Sequence, residues 1–97
     1  MGGYIVSVVY RRLDQVEVVE LDGETLVLNP ETFAVTKLNE VGGWVWRTMD
    51  DCATFEQLEQ RMTETFDADR RRMSADLTLF LNEMIGIGLI KIAKDTE

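Results

Sequence analysis

Ninety-seven residues with 45% hydrophobic and 29% charged side chains suit one domain that buries roughly two thirds of its unfolded surface in a single modest core. Eighteen acidic residues against ten basic leave a formal charge of -8, which repels nucleic-acid phosphates unless the basic groups are gathered on one surface. No window approaches the ~20 apolar residues of a membrane span, and one cysteine with no histidine excludes an internal disulfide and the usual zinc sites.

Residues 1–3 are expected to be disordered. The stretch Tyr4 to Tyr10 is apolar but short, with no basic residue before it and no small-residue cleavage site after it, so it reads as a strand and not a secretory signal. Three placements are open to it: an extension of the sheet that follows, a flexible arm, or a strand paired with a second copy. Val16 to Leu21 has strand-like patterning, and Asp22-Gly23 supplies the left-handed positions of a tight hairpin turn. Thr25 to Leu28 forms the return strand. Asn29-Pro30-Glu31-Thr32 then places the only proline where its fixed φ favours a β-turn, and Phe33 to Leu38 continues with β-branched alternation. The result is a three-stranded antiparallel meander.

Asn39 is a good N-cap for a helix over Glu40 to Met49, with an acidic residue in its first turn. Gly42 and Gly43 weaken that helix by about 1–2 kcal/mol together, so their presence predicts close backbone packing against the sheet. Trp46 is expected in the core, and Trp44, about 200° round the helix, points elsewhere. Thr54 to Gln57 has the capping-box pattern, and Phe55, Leu58, Met62 and Phe66 recur at helical spacing, predicting a helix over 55–66. Asp67 is expected to cap a third helix over 68–85, whose stripe comprises Met73, Leu77, Phe80, Leu81 and Met84. It ends at Gly86-Ile87-Gly88, and Leu89 to Ile92 reads as a short closing strand, with residues 93–97 fraying. The fold class is therefore α+β and winged-helix-like, a three-stranded antiparallel sheet followed by three helices, forming a single domain over 1–97.

Catalytic constellations are missing from the pattern. Cys52 lies beside Asp50 and Asp51, which oppose thiolate formation, and it has no histidine to act as base. Its lone presence fits a cytoplasmic protein. Asp50, Asp51, Glu56, Glu59 and Glu64 read as solvated carboxylates. No cofactor, metal or enzymatic activity is expected.

The run Leu38-Asn39-Glu40-Val41-Gly42-Gly43-Trp44-Val45-Trp46 has the form Leu-Asn-x-x-Gly-x-x-Val-Trp. In its position after the meander, with Asp22-Gly23 before it and Thr54 and Gly86 to Ile90 after it, it resembles the PqqD-like family, also called RiPP recognition elements, over roughly residues 16–92. Residues 1–15 form an N-terminal strand or arm outside that core. The resemblance implies a domain that holds the leader of a ribosomally made precursor peptide in a groove between the third strand and third helix, while separate enzymes modify or cleave the core. It further implies a leader peptidase, a cyclase or a radical-SAM enzyme as partner, with the lasso-peptide type favoured; the lack of a long apolar window separately argues against a membrane partner.

Peptide capture by strand addition needs an open sheet edge and an apolar wall. Carried over to this chain, the backbone of Phe33, Ala34, Val35, Thr36, Lys37 and Leu38 would bind the leader. Pockets would come from among Val35, Met73, Leu77, Phe80, Leu81 and Met84, each of which has core packing as its alternative. Arg70 and Arg71, together with Lys37, would attract acidic leader residues. The competing reading is a winged-helix DNA-binding regulator with Arg70-Arg71-Arg72 opening a recognition helix, against which stand Asp67, Asp69, Asp76 and the acidic charge of the whole chain.

Overall fold

The computed structural model describes residues 8–50 and 54–94. Within them the chain runs β1 (Val8–Arg12), β2 (Glu17–Leu21), β3 (Glu24–Asn29), β4 (Ala34–Leu38), α1 (Glu40–Thr48), α2 (Phe55–Phe66), α3 (Arg70–Gly86) and β5 (Ile90–Lys94). The expected meander is present as an antiparallel sheet in the order β2-β3-β4. Asp22 and Gly23, at φ 48° and 82°, make the two-residue turn that joins Leu21 to its partner Glu24, the backbone geometry that an Asp-Gly pair favours.

The N-terminal strand does not extend this sheet. β1 pairs antiparallel with β5 in a two-stranded sheet of its own, with Tyr10 opposite Ile92, and Leu13 donates its backbone N–H to Leu89 at 2.8 Å. A side-chain network pins it there. The Arg12 guanidinium stacks over the Trp46 ring at 5.3 Å, donates to the Trp46 carbonyl at 3.1 Å and pairs with Asp50. Residues 4–7 of the expected strand, Asp51 and Cys52 lie outside the described residues.

Local signals set the helix ends. Asn39 Oδ1 accepts from Gly42 N at 2.8 Å at the start of α1, and the Thr54–Gln57 capping box forms reciprocally at the start of α2. The third cap differs from expectation. Asp67 sits at φ 50° as the left-handed C-cap of α2, so α3 starts at Arg70 after Asp69, which makes no side-chain capping bond. Asp tolerates the left-handed region because its short polar side chain bonds locally, and here ending one helix took precedence over starting the next. At its far end α3 closes in a Schellman motif: Gly88, at φ 84°, donates to Ile85 O at 3.1 Å, and Leu89 donates to Met84 O at 2.9 Å.

The core lies between the helices and one face of β3, where Val27, Val45, Trp46, Leu58, Met62, Leu77, Leu81, Leu89 and Ile90 are essentially inaccessible. Trp44 is half-buried and meets Phe66 edge-on at 5.4 Å. Gly43 explains how closely α1 approaches the sheet, since a Cβ there would stand 2.5 Å from Thr25 Oγ1 and 3.2 Å from its Cβ. Thr25 is buried, β-branched and hydrogen-bonded to Arg47, so it yields poorly. Gly43→Ala is therefore expected to destabilise the protein by about 1–3 kcal/mol, the range for overpacking a core, despite the better helix propensity of alanine. A lowered urea midpoint with an unchanged m-value is the readout.

Candidate peptide-binding groove

The register of the meander decides which amides remain free. In antiparallel pairing, hydrogen-bonded and non-bonded residue pairs alternate, and a two-residue turn is closed by a bonded pair. Leu21 and Glu24 therefore bond each other, as do the in-register pairs Val19–Leu26 and Glu17–Leu28. Thr25, Val27 and Asn29 are left to bond β4, through their partners Leu38, Thr36 and Ala34. The intervening residues of β4, Val35 and Lys37, direct their N–H and C=O groups away from β3. Since β4 ends the sheet among the described residues, these groups form an open hydrogen-bonding edge there.

The other edge, on β2, is solvent-exposed and is reached from α1 by Arg47, which pairs with Glu20 at 3.2 Å. Glu17, Val18, Val19, Glu20 and Leu21 are all exposed, and the glutamates are of the kind that discourage pairing at sheet edges. The β4 edge, by contrast, faces α3 across a groove of about 480 Å³. Val35, Thr36, Lys37 and Leu38 form one bank, and Phe80, Glu83, Met84 and Ile87 form the other. Asn39 and Gly42 close the floor between them. Gly42 has a particular role, because a Cβ at that position would lie 3.0 Å from Phe80 Cε1. Its absence lets the Phe80 ring lie down on α1 and keeps the groove open. The Leu-Asn-x-x-Gly segment thus serves both as helix cap and as groove floor.

The groove continues past Phe80 into a second hollow of about 460 Å³, which shares Asn39, Gly42, Phe80 and Glu83 and adds Val41, Arg72, Asp76 and Leu79. A larger hollow of about 780 Å³ lies on another side of α3, against Glu59, Arg70, Arg71 and Leu79. It offers no open strand edge, so size alone is a poor guide to the site.

The expected site residues divide into four groups. Val35, Thr36, Lys37, Leu38, Phe80 and Met84 come together at the groove, Leu38 and Met84 as core side chains, each 3% exposed, that form its buried base. Met73, Leu77 and Leu81 are 5%, 0% and 2% exposed and belong to the core: at spacings of four residues they face inward, whereas Phe80 and Glu83 are turned toward β4. Arg70 and Arg71 line the hollow toward α2 instead, with Arg70 paired to Glu59 at 3.3 Å. Phe33 and Ala34 stand outside the groove lining. Phe33 is 82% exposed and holds a left-handed φ of 60° at the turn into β4, while Ala34 N donates to Thr32 Oγ1 at 3.3 Å.

Sequence reasoning missed Asn39, Gly42, Glu83 and Ile87 in the first hollow, and Val41, Arg72, Asp76 and Leu79 in its continuation. A signal for part of this set was present. Arg72, Asp76, Leu79, Phe80, Glu83 and Ile87 recur at helical spacing, forming a second stripe one residue out of phase with the buried Met73, Leu77, Leu81 and Met84. Exposed apolar residues in it, Leu79 at 64% and Ile87 at 52%, mark a wall that the core does not require.

The chemistry of the groove is that of a candidate binding surface. Among the described residues no group of three or more potential metal-ligating side chains occurs, and the groove offers backbone donors and acceptors, apolar surface and a few exposed charges.

The family model described as coenzyme PQQ synthesis protein D (PqqD) matches residues 24–90, a span that holds β3, β4, all three helices and the groove. No curated protein matches the chain. Two solved structures share its fold. TbiB1 in complex with the TbiA(beta) leader peptide has 22% identity and a TM-score of 0.74, covering 84% of this chain and 94% of that one. Lasso peptide synthetase B1 complexed with the leader peptide has 15% identity and a TM-score of 0.73, covering 84% of this chain and 96% of that one.

Proposed function

The chain belongs to the PqqD family, and on that premise we propose that it captures the leader region of a ribosomally made precursor peptide by strand addition at β4 and presents it to a modifying or leader-cleaving enzyme. The observation that carries this reading is the open edge at Val35 and Lys37 facing the apolar bank of Phe80, Met84 and Ile87. An extended peptide would complete the ladder and place alternate side chains against α3. That two proteins of the same fold are complexed with leader peptides supports the choice of ligand and favours the lasso-peptide type of pathway.

The protein acts in this reading without catalytic groups, raising the effective concentration of the precursor beside its enzyme. A leader peptidase fits the lasso-peptide assignment, and a cyclase or radical-SAM enzyme fits other pathways of the family. We place it in the cytoplasm as a single binding domain over 1–97. Among the described residues no helix is long and apolar enough to cross a membrane.

DNA binding finds no support in the geometry. Arg70 and Arg71 face the α2 side while Arg72 lines the groove continuation, and Arg70 and Arg72 are paired with Glu59 and Asp76. The three arginines do not form one cationic surface.

The test is a fluorescence-polarisation titration with the labelled leader of the precursor encoded beside this protein, run in parallel with labelled duplex DNA. Saturable binding of the leader at micromolar or lower concentration, with none of the DNA, is the expected result. Binding of DNA alone would overturn the assignment.

A further inference from the structure

Four charged side chains line the groove and its continuation: Lys37, Arg72, Asp76 and Glu83. Three have partners within the protein. Lys37 Nζ lies 3.1 Å from Glu24, and Arg72 Nε lies 4.0 Å from Asp76 one helical turn away. The Glu83 side chain makes no hydrogen bond or ion pair among the described residues, yet it belongs to both hollows at their junction beside Phe80. A ligand lying along the groove therefore meets one uncompensated negative charge midway along its path.

We infer that Glu83 selects for a basic residue in the captured peptide, so that the ligand class is an extended segment carrying Lys or Arg on its α3-facing side with apolar residues two positions to either side. This rests on the peptide-capture reading and deepens it. The spacing follows from the geometry of the two elements. Ile87 and Phe80 stand four and three residues from Glu83 along α3, about 6 and 4.5 Å of helical rise, and successive same-face residues of a peptide strand are about 6.6 Å apart. A peptide that lies on the β4 edge, runs along α3 and sets one side chain against Glu83 would bring its neighbours two positions away to Phe80 on one side and to Ile87 on the other. An acidic residue at the central position would meet Glu83 with like charge.

A randomised library of displayed 16-residue peptides, selected against the wild-type protein and separately against Glu83→Lys, tests this. Glu83 is exposed and, among the described residues, without a side-chain partner, so equal thermal midpoints for both proteins are the folding control. The expected result is enrichment of Lys or Arg two positions from an apolar residue in the wild-type selection, replaced by Asp or Glu at that position in the Glu83→Lys selection. In a wild-type-selected peptide, exchanging the basic residue for Gln should weaken Kd about 2- to 5-fold at low salt and less at high salt, the range for an exposed ion pair; against Glu83→Gln the exchange should change little. Enriched apolar peptides with no charge preference, or the same preference against both proteins, would overturn the role of Glu83 and leave peptide capture standing. Failure to enrich any peptide over background on the folded wild-type protein would overturn the capture reading beneath it.

Discussion

Val35→Pro is expected to abolish high-affinity peptide capture while the protein stays folded. Val35 directs its N–H out of the sheet, so proline there removes no bond of the β3–β4 ladder, and proline is tolerated on edge strands when its nitrogen faces outward. The bound peptide, by contrast, loses a donor and meets the pyrrolidine ring. A peptide carbonyl left desolvated without a partner costs about 1–3 kcal/mol, roughly 5- to 150-fold in Kd, and the ring adds a steric block. Polarisation titration of the labelled leader measures this directly. Thr36→Pro tests something else, because Thr36 pairs with Val27 in a bonded position and proline there breaks the sheet itself. Undiminished affinity in a folded Val35→Pro protein would rule out strand addition at β4.

Leu77→Ala and Ile87→Ala should separate core from groove on a single helix. Leu77 is fully buried, and its truncation is expected to cost about 2–5 kcal/mol, a large fraction of the 5–15 kcal/mol that holds a typical domain together. The remaining folded protein should bind the leader with near wild-type affinity. Ile87 is 52% exposed and lines the groove, so its truncation should leave the urea midpoint within about 0.5 kcal/mol of wild type, as for surface positions, and weaken the leader complex several-fold by removing apolar contact. Reversed behaviour, with Leu77→Ala lowering affinity at unchanged stability, would mean that α3 turns a different face to β4.

Much of this was legible from residues alone because it is decided locally. Asp22-Gly23 specified a turn that few other pairs favour, Asn39 and Thr54 specified helix starts through their own side chains, and Gly88 specified a helix end by accepting positive φ. The periodicity of α2 fixed its extent at 55–66 because capping and apolar spacing agreed. Where two local signals competed, the reading slipped. Asp67 suits both an N-cap and a left-handed C-cap, and the second role prevailed.

Local pattern and composition were enough for the order and type of the elements, an apolar stripe on α3 whose division between core and groove stayed open, the acidic balance that disfavours nucleic acid, and a family resemblance carried by the Leu-Asn-x-x-Gly-x-x-Val-Trp run. Each of these depends on interactions between residues close in the chain, or on the counts of residue types. It took the packing of the elements to show that β1 pairs with β5 and not with the meander, that Gly42 makes room for Phe80 and Gly43 for Thr25, and that Glu83 and Ile87 face β4 while Arg70 and Arg71 face α2. Those outcomes join residues on different elements, and a stripe of helical residues acquires its meaning from what is packed opposite it. Periodicity shows that a face exists, and the relative placement of helix and sheet determines whether that face is core, surface or groove.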